Sequence, residues 1–391
     1  MIYDFDREID RQGSGAIKFD GLEQWYGDRE LLPMWVADMD FATPDFITDA
    51  LKQRLEHPIF GYTIEPERYR GAIQEWILSH HNWQIESQWI SYIPGIVKGI
   101  AMAINALLTK GDKIIIQPPV YHPFRNVAQH NGFEIVENPL LQRADGSYEI
   151  DFENLEQVAE SSCKLLILAN PHNPIGILWS RETLSQLADF CHSRGITVIS
   201  DEIHCDMALW GKKHIPFASV SPTAAQCSIT FGAPSKTFNI AGIVTSYAIV
   251  PNRELRDKFF GWMGGNELNQ PDIFAPIATI AAFDNGEQWR VEMLKYVEQN
   301  IDFTIDFCKQ HIPQIRAIRP EASFLVWLDC RELNIPHSAL VELFTSRAKL
   351  ALNEGSMFGT QGEGFMRLNV GTTRRVLKEA LLRLKAAVES L

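Results

Sequence analysis

The sequence predicts an α/β protein, a mostly parallel sheet with helices on both faces, joined to a smaller α+β domain. Three observations lead there. Between about residues 95 and 250, short apolar β-rich runs alternate with helix-period segments, the pattern of βαβ units. The runs are short and largely apolar, as strands covered on both faces require. From about residue 283 the pattern changes to one long amphipathic stretch, followed by further strands and helices.

In chain order, residues 95–108 (GIVKGIAMAINALL) read as a helix, 113–117 (KIIIQ) as a strand, 122–132 (HPFRNVAQHNG) as a helix and 134–138 (EIVEN) as a strand. Residues 164–170 (KLLILAN) follow as a strand. A helix over 180–195 comes next, capped by Ser180 and ended by Gly195, then strands at 196–200, 226–231 and 244–250. The smaller domain opens with the helix WRVEMLKYVEQNIDFTIDFCKQHI (289–312). The expected division is a large domain over 49–282 and a small one built from 1–48 and 283–391.

A chain of 391 residues is long enough for two domains, and 46% hydrophobic content supplies their cores. The formal charge of −13 argues against nucleic acid or an anionic membrane as partner, since both need concentrated Lys and Arg. MIYDFDREIDR carries acids where a secretion signal has bases, and the longest apolar stretch, 99–108, is too short to span a bilayer. A cytoplasmic protein is expected. Its six cysteines form no CxxC pair, so free thiols are expected and no zinc motif emerges. Glu202, His204, Cys205 and Asp206 are close in sequence but are not assigned to a metal.

Three polar stretches follow predicted strands: ANPHNPIG, DEIHCD and GAPSKTFN. Each has an ordinary reading alone. Asn170-Pro171 and Asn173-Pro174 are turn signals, Asp201-Glu202 can cap a helix, and a single lysine is usually a surface charge. In open α/β sheets, however, ligand groups gather at the carboxyl ends of the strands. That edge would bring Asn173, Asp201 and Lys236 together across gaps of 28 and 35 residues.

Such a trio suits pyridoxal phosphate, carried by the lysine with the aspartate against its ring nitrogen. A lysine of pKa about 10.4 has almost no neutral amine at pH 7, so the site must depress that value by burial or a nearby cation. The small and apolar residues around Lys236 fit this need. Gly95 in YIPGIVKGI opens a helix whose first N–H groups can receive a phosphate. The helix dipole contributes only about 0.3–2 kcal/mol, so further donors must help. A plain helix start is the alternative.

These residues resemble those of fold-type I pyridoxal-phosphate enzymes, the aspartate-aminotransferase-like fold of the class I/II aminotransferase superfamily. The chain is most similar to the MalY/PatB-like cystathionine β-lyases, also called cysteine-S-conjugate β-lyases. The resemblance runs through LPMWVADMDFATP, FGYT, PPVYHPF, NPHNPIG, DEIHCD, APSKTFNIAG, LNEGSMFG and GFMRLNVG. It implies a seven-stranded mixed sheet in the large domain. It also implies that Lys236 holds the cofactor as a Schiff base, Asp201 pairs with the ring nitrogen, Asn173 bonds the ring hydroxyl oxygen and Tyr121 stacks on the ring. Gly95, Ile96 and Val97 would receive the phosphate, and Arg367, with Asn173 beside it, the substrate carboxylate. Tyr62 would reach the phosphate of a neighbouring subunit, which implies a homodimer with shared active sites.

Two positions depart from many fold-type I aminotransferases. Ala233 stands where they have a phosphate-binding serine, and IAGIVTSY has no Lys or Arg where they have a basic residue. Ser235 is the substitute this chain offers. His204 is either a hydrogen-bond partner near Asp201 or a satisfied core histidine. The resemblance implies release of a thiol, pyruvate and ammonia from an amino acid such as cystathionine. An aminotransferase is the alternative, since Lys236, Asp201 and Arg367 would serve both reactions. A regulatory or partner-binding protein on the same fold is the third reading.

Overall fold

Seven strands form the central sheet: β1 (Ile90–Ile93), β2 (Lys113–Ile116), β3 (Glu134–Glu137), β4 (Cys163–Ala169), β5 (Thr197–Asp201), β6 (Ser228–Gly232) and β7 (Ser246–Ile249). Their spatial order in the computed structural model, which describes residues 2–143 and 146–391, is β1-β7-β6-β5-β4-β2-β3. The five strands from β6 to β3 are mutually parallel. Strand β7 runs antiparallel to both of its neighbours. The reason lies in its connection: residues 233–245 hold turns and no helix, whereas a parallel return needs a crossover, usually helical.

Helices α1 (Ile96–Leu107), α2 (Pro123–His130) and α3 (Arg181–Ser193) fall where the sequence puts them. Ser180 caps α3 by accepting the Thr183 N–H at 3.0 Å, and Gly195 takes the left-handed conformation after its end. The central strands are apolar throughout because both faces are covered; Ile114, Ile115, Leu165, Leu166 and Ile167 are all fully buried. Helix α1 lies close against the sheet at Gly99, where a Cβ would come within 2.6 Å of Ile93. That close approach packs α1 against Ile93 of β1 and Phe231 of β6.

The C-terminal part carries helix α4 (Glu287–His311), strands β8 (Arg316–Ile318), β9 (Leu325–Asp329), β10 (Asn353–Glu354) and β11 (Phe365–Asn369), and helix α5 (Arg374–Glu389). The four strands form an antiparallel sheet in the order β8-β9-β11-β10. The N-terminal segment joins it, with Leu32–Pro33 pairing in parallel with Leu350–Ala351. Among the described residues no helix is long and apolar enough to cross a membrane, and all six cysteines are free and buried.

Candidate active site

Strand register brings the three polar stretches to one level. Ala169 of β4 lies opposite Asp201 of β5, and Asp201 lies opposite Phe231 of β6. The chain therefore leaves the sheet at neighbouring points into Asn170–Asn173, Glu202–His204 and Ala233–Lys236. Lys236, Ser235, Asp201, Asn173 and Tyr121 line one cavity of about 280 Å³, together with Gly95, Ile96 and Val97. Arg367, on β11, is not among the lining residues but bonds Asn173, which is. Tyr62 is fully exposed and lies outside this cavity.

The Lys236 amine donates to the Ala37 carbonyl at 2.7 Å. Burial pushes its pKa down; Asp38 and Asp201 oppose that shift, and Arg367 adds to it. Asp201 is pushed up to about 7, chiefly by burial, although its Oδ1 accepts the Ile203 N–H at 3.1 Å. Among the described residues Asp201 has no salt-bridge partner, and the nearby Lys236 charge offsets its burial only in part. A protonated pyridine nitrogen would supply such a partner.

The turn after β5 is anchored from behind. The buried Glu202 carboxylate accepts from the Ser200 hydroxyl, the Phe217 N–H and His214 Nε2, each at 2.8 Å. Asp206 accepts from Trp76 Nε1 at 2.9 Å and bonds His81 Nε2 at 2.8 Å. These anchors fix where Asp201 and His204 stand. His204 follows Asp201 by three residues at the same end of the sheet. It lines the cavity, its Nδ1 has no partner, and burial lowers its pKa to about 3, so the ring is neutral.

At the α1 end, Gly95 has φ 108, a conformation that favours glycine. The helix ladder opens with Gly99 N–H to the Gly95 carbonyl at 2.8 Å, so the amides of Ile96, Val97 and Lys98 precede it. Thr245 lines the same cavity, and its buried hydroxyl has no partner. The neighbouring Val244 stands 3.7 Å from where a Cβ on Gly95 would be.

Arg367 is buried and held on several sides: Nη1 donates to Asn173 Oδ1 at 3.1 Å, Nη2 to Trp35 O at 3.1 Å and to Asn353 Oδ1 at 2.6 Å. Its carbon Cζ lies 5.0 Å from the centre of the Phe358 ring. Burial lowers its pKa to about 10, and its Nε has no partner. Because Asn173 gives its oxygen to Arg367, its Nδ2 is the atom left to face a cavity ligand.

The description "Aminotransferase class I and II" matches residues 30–384, nearly the whole chain. The chain belongs to this family. Cystathionine beta-lyase PatB of Bacillus subtilis (strain 168) is 43% identical over 385 residues, 98% of this chain and 99% of that protein. Protein MalY of Escherichia coli (strain K12) is 33% identical over 393 residues, covering both chains in full. Among solved structures, cystalysin from Treponema denticola, which contains a pyridoxal 5'-phosphate cofactor, superposes with a TM-score of 0.95 at 33% identity over the full length of both chains. The family's α/β fold with its seven-stranded mixed sheet is thus the fold of this chain.

Sequence reading missed three features of this aminotransferase-family site. Thr245 looked like an ordinary strand start in VTSYAIV, and its unpartnered hydroxyl becomes visible only once packed. Lys98 also lines the cavity, but within an apolar helix it carried no distinguishing pattern. The Ala37 carbonyl is backbone, and no side-chain signal marks it.

Proposed function

We propose that this chain is a pyridoxal-phosphate-dependent carbon–sulfur β-lyase, cleaving cystathionine or related cysteine S-conjugates to a thiol, pyruvate and ammonia. One observation carries the reading: Lys236, Asp201, Asn173 and Tyr121 line a single cavity together with Gly95, Ile96 and Val97 at the start of α1, and Arg367 bonds Asn173. The donor set suits the cofactor. Asp201 has no salt-bridge partner, Thr245 has an unused hydroxyl in the cavity that Ile96 and Val97 also line, and Arg367 has an unused N–H. The similarity to PatB and cystalysin supports the choice of reaction.

In this reading Lys236 would hold the cofactor, Asp201 would pair with its ring nitrogen, Asn173 Nδ2 would donate to its ring hydroxyl oxygen and Tyr121 would pack against its ring. The amides of Ile96 and Val97 bind the phosphate, with Gly95 shaping the turn and Ser235 and Thr245 adding hydroxyls. When bound, pyridoxal phosphate supplies a sink for the electron pair left at the substrate Cα. Arg367, fixed by Asn173 and Asn353, holds the substrate carboxylate and so orients the Cα–H bond. Lys236, freed by the substrate amino group, takes the Cα proton, and burial aids it by favouring a neutral amine. Its ammonium then returns that proton to the departing sulfur. One water hydrolyses the remaining three-carbon fragment to pyruvate and ammonia, so cystathionine plus water gives homocysteine, pyruvate and ammonia.

Tyr62 is given to the phosphate of a second copy, in a cytoplasmic homodimer with shared active sites. The exposed Ile59, Phe60, Tyr62 and Ile64 suit burial against that copy. The division into residues 49–282 and 1–48 with 283–391 separates the cofactor-bearing part from the part that carries Arg367.

The reaction is tested by incubating cofactor-loaded protein with L-cystathionine, and separately with alanine plus a keto acid. Thiol and pyruvate formed together without a keto acid are expected. Amino transfer to the keto acid with no thiol would assign the chain to the aminotransferase reaction instead. For the phosphate end, Thr245→Val is expected to weaken cofactor binding by about tenfold, the value of one hydrogen bond to a charged group. Equilibrium titration of the absorbance checks this, and unchanged affinity would remove Thr245 from the phosphate set.

A further inference from the structure

Residues 35–39 form a strap from the N-terminal segment that passes along the site. Its carbonyls hold the site's side chains in turn. Trp35 O accepts from Arg367 at 3.1 Å, Val36 O and Asp38 O from Asn369 Nδ2 at 2.6 and 2.7 Å, and Ala37 O from Lys236 at 2.7 Å. Asn239, three residues after Lys236, clamps Met39 by accepting its N–H at 3.0 Å and donating to its carbonyl at 2.9 Å.

Behind the strap sits a closed set of four charges. Arg11 forks onto Asp38, with Nη1 to Oδ1 at 3.0 Å and Nη2 to Oδ2 at 2.7 Å, and reaches Asp40 at 2.8 Å. Lys18 bonds Asp40 at 2.9 Å, and its Nζ lies 3.9 Å from Asp38 Oδ1. The Lys18 side chain is 0% exposed. Burying a lysine is costly unless its partners are fixed, so this arrangement holds the strap in one place. Asp38 is also the residue directly after the carbonyl that receives the lysine.

We propose that Asp38 is a positioning residue for Lys236: locked by Arg11 and Lys18, it keeps the Ala37 carbonyl within reach of the free amine. The inference rests on the assignment of Lys236 as the cofactor-bearing lysine. Burial is the largest influence on the amine and lowers its pKa; Asp38 is the first of the charges that resist this, ahead of Asp201. Arg367 from β11 lowers the amine's pKa further, and the other titratable groups of the same cavity are the neutral His204 after β5, Tyr121, whose phenol burial keeps protonated, and Lys98 in the first turn of α1. Arg11, Lys18 and Asp40 act on the amine through Asp38.

The signs follow. Removing the Asp38 charge removes a raising influence, so the amine gives up its proton at lower pH. More neutral amine is then present at pH 7 to capture cofactor, while the ammonium formed on taking the Cα proton is less favoured. Removing Arg11 leaves Asp38 less neutralised and moves the amine the other way.

The test mixes cofactor-stripped protein with pyridoxal phosphate across a range of pH and follows the absorbance of the lysine-bound cofactor. Asp38→Asn is expected to lower the midpoint of the rate profile by about one pH unit. Capture at pH 7 should speed up severalfold while thiol release slows by about tenfold. Asp38→Glu should restore the midpoint, and Arg11→Gln, at a partly exposed residue, should raise it. An unmoved midpoint in Asp38→Asn, with capture and turnover lost in equal proportion, would overturn the proposal. If Asp38→Asn does not fold, a downward or absent shift in Arg11→Gln overturns it equally. A wild-type protein that shows no lysine-bound absorbance at any pH would overturn the cofactor reading itself, a result distinct from these.

Discussion

Lys236→Ala is expected to lower thiol release from cystathionine by at least about 10⁴-fold and to abolish the absorbance of lysine-bound cofactor. Two losses combine. The cofactor loses its attachment, and the Cα proton loses the base that would take it. Lys236→Arg should fail to a similar extent, because arginine keeps the positive charge but offers no neutral amine near pH 7. That comparison separates the amine from the charge. The fold should tolerate both changes better than a core truncation, since Lys236 faces the cavity and its amine has the Ala37 carbonyl as partner. Steady-state thiol release and the absorption spectrum of each purified variant check the prediction, and cleavage retained within tenfold would remove Lys236 from its role.

Asp201→Asn should reduce kcat by about 10²–10³-fold with a smaller change in KM, the usual size of a preorganised electrostatic contact. Asparagine keeps the shape and can still accept the Ile203 N–H, so the turn after β5 should survive. What it loses is the negative charge. Burial, with a smaller push from the Glu202 charge, holds the Asp201 carboxyl up to about 7, and a cationic ring nitrogen opposite it would draw that value down by favouring the charged form. Asparagine cannot respond in this way, so the ring nitrogen loses the partner that keeps its proton. Equal kcat in the variant and the parent would contradict this account, whatever happened to KM.

Much of this site was legible because the chemistry sits where the sheet ends. A strand pattern followed by a polar residue three times over located Asn173, Asp201 and Lys236, and the register of β4, β5 and β6 brings those strand ends level. Gly95 was legible because it precedes a helix-period run, and its φ of 108 is a conformation that suits glycine.

What escaped depends on partners far away in the chain. Lys18, in GAIKFDG, looks like a solvated lysine, yet its side chain is fully buried because Asp38 and Asp40 come from a segment twenty residues later. Thr245 gives no signal in sequence, since an unpartnered hydroxyl is a property of packing. The antiparallel course of β7 follows from the missing helix between it and β6, although strand alternation alone suggested another parallel unit.

The central claim, that Lys236 carries the cofactor, is tested most directly by reducing the loaded protein with borohydride and finding the modified lysine by peptide mass spectrometry. The prediction is a single pyridoxyl adduct on Lys236, within SKTFNIAG. Lys98 lines the same cavity and is a genuine rival. An adduct there instead, or no reducible linkage at all, would contradict the account.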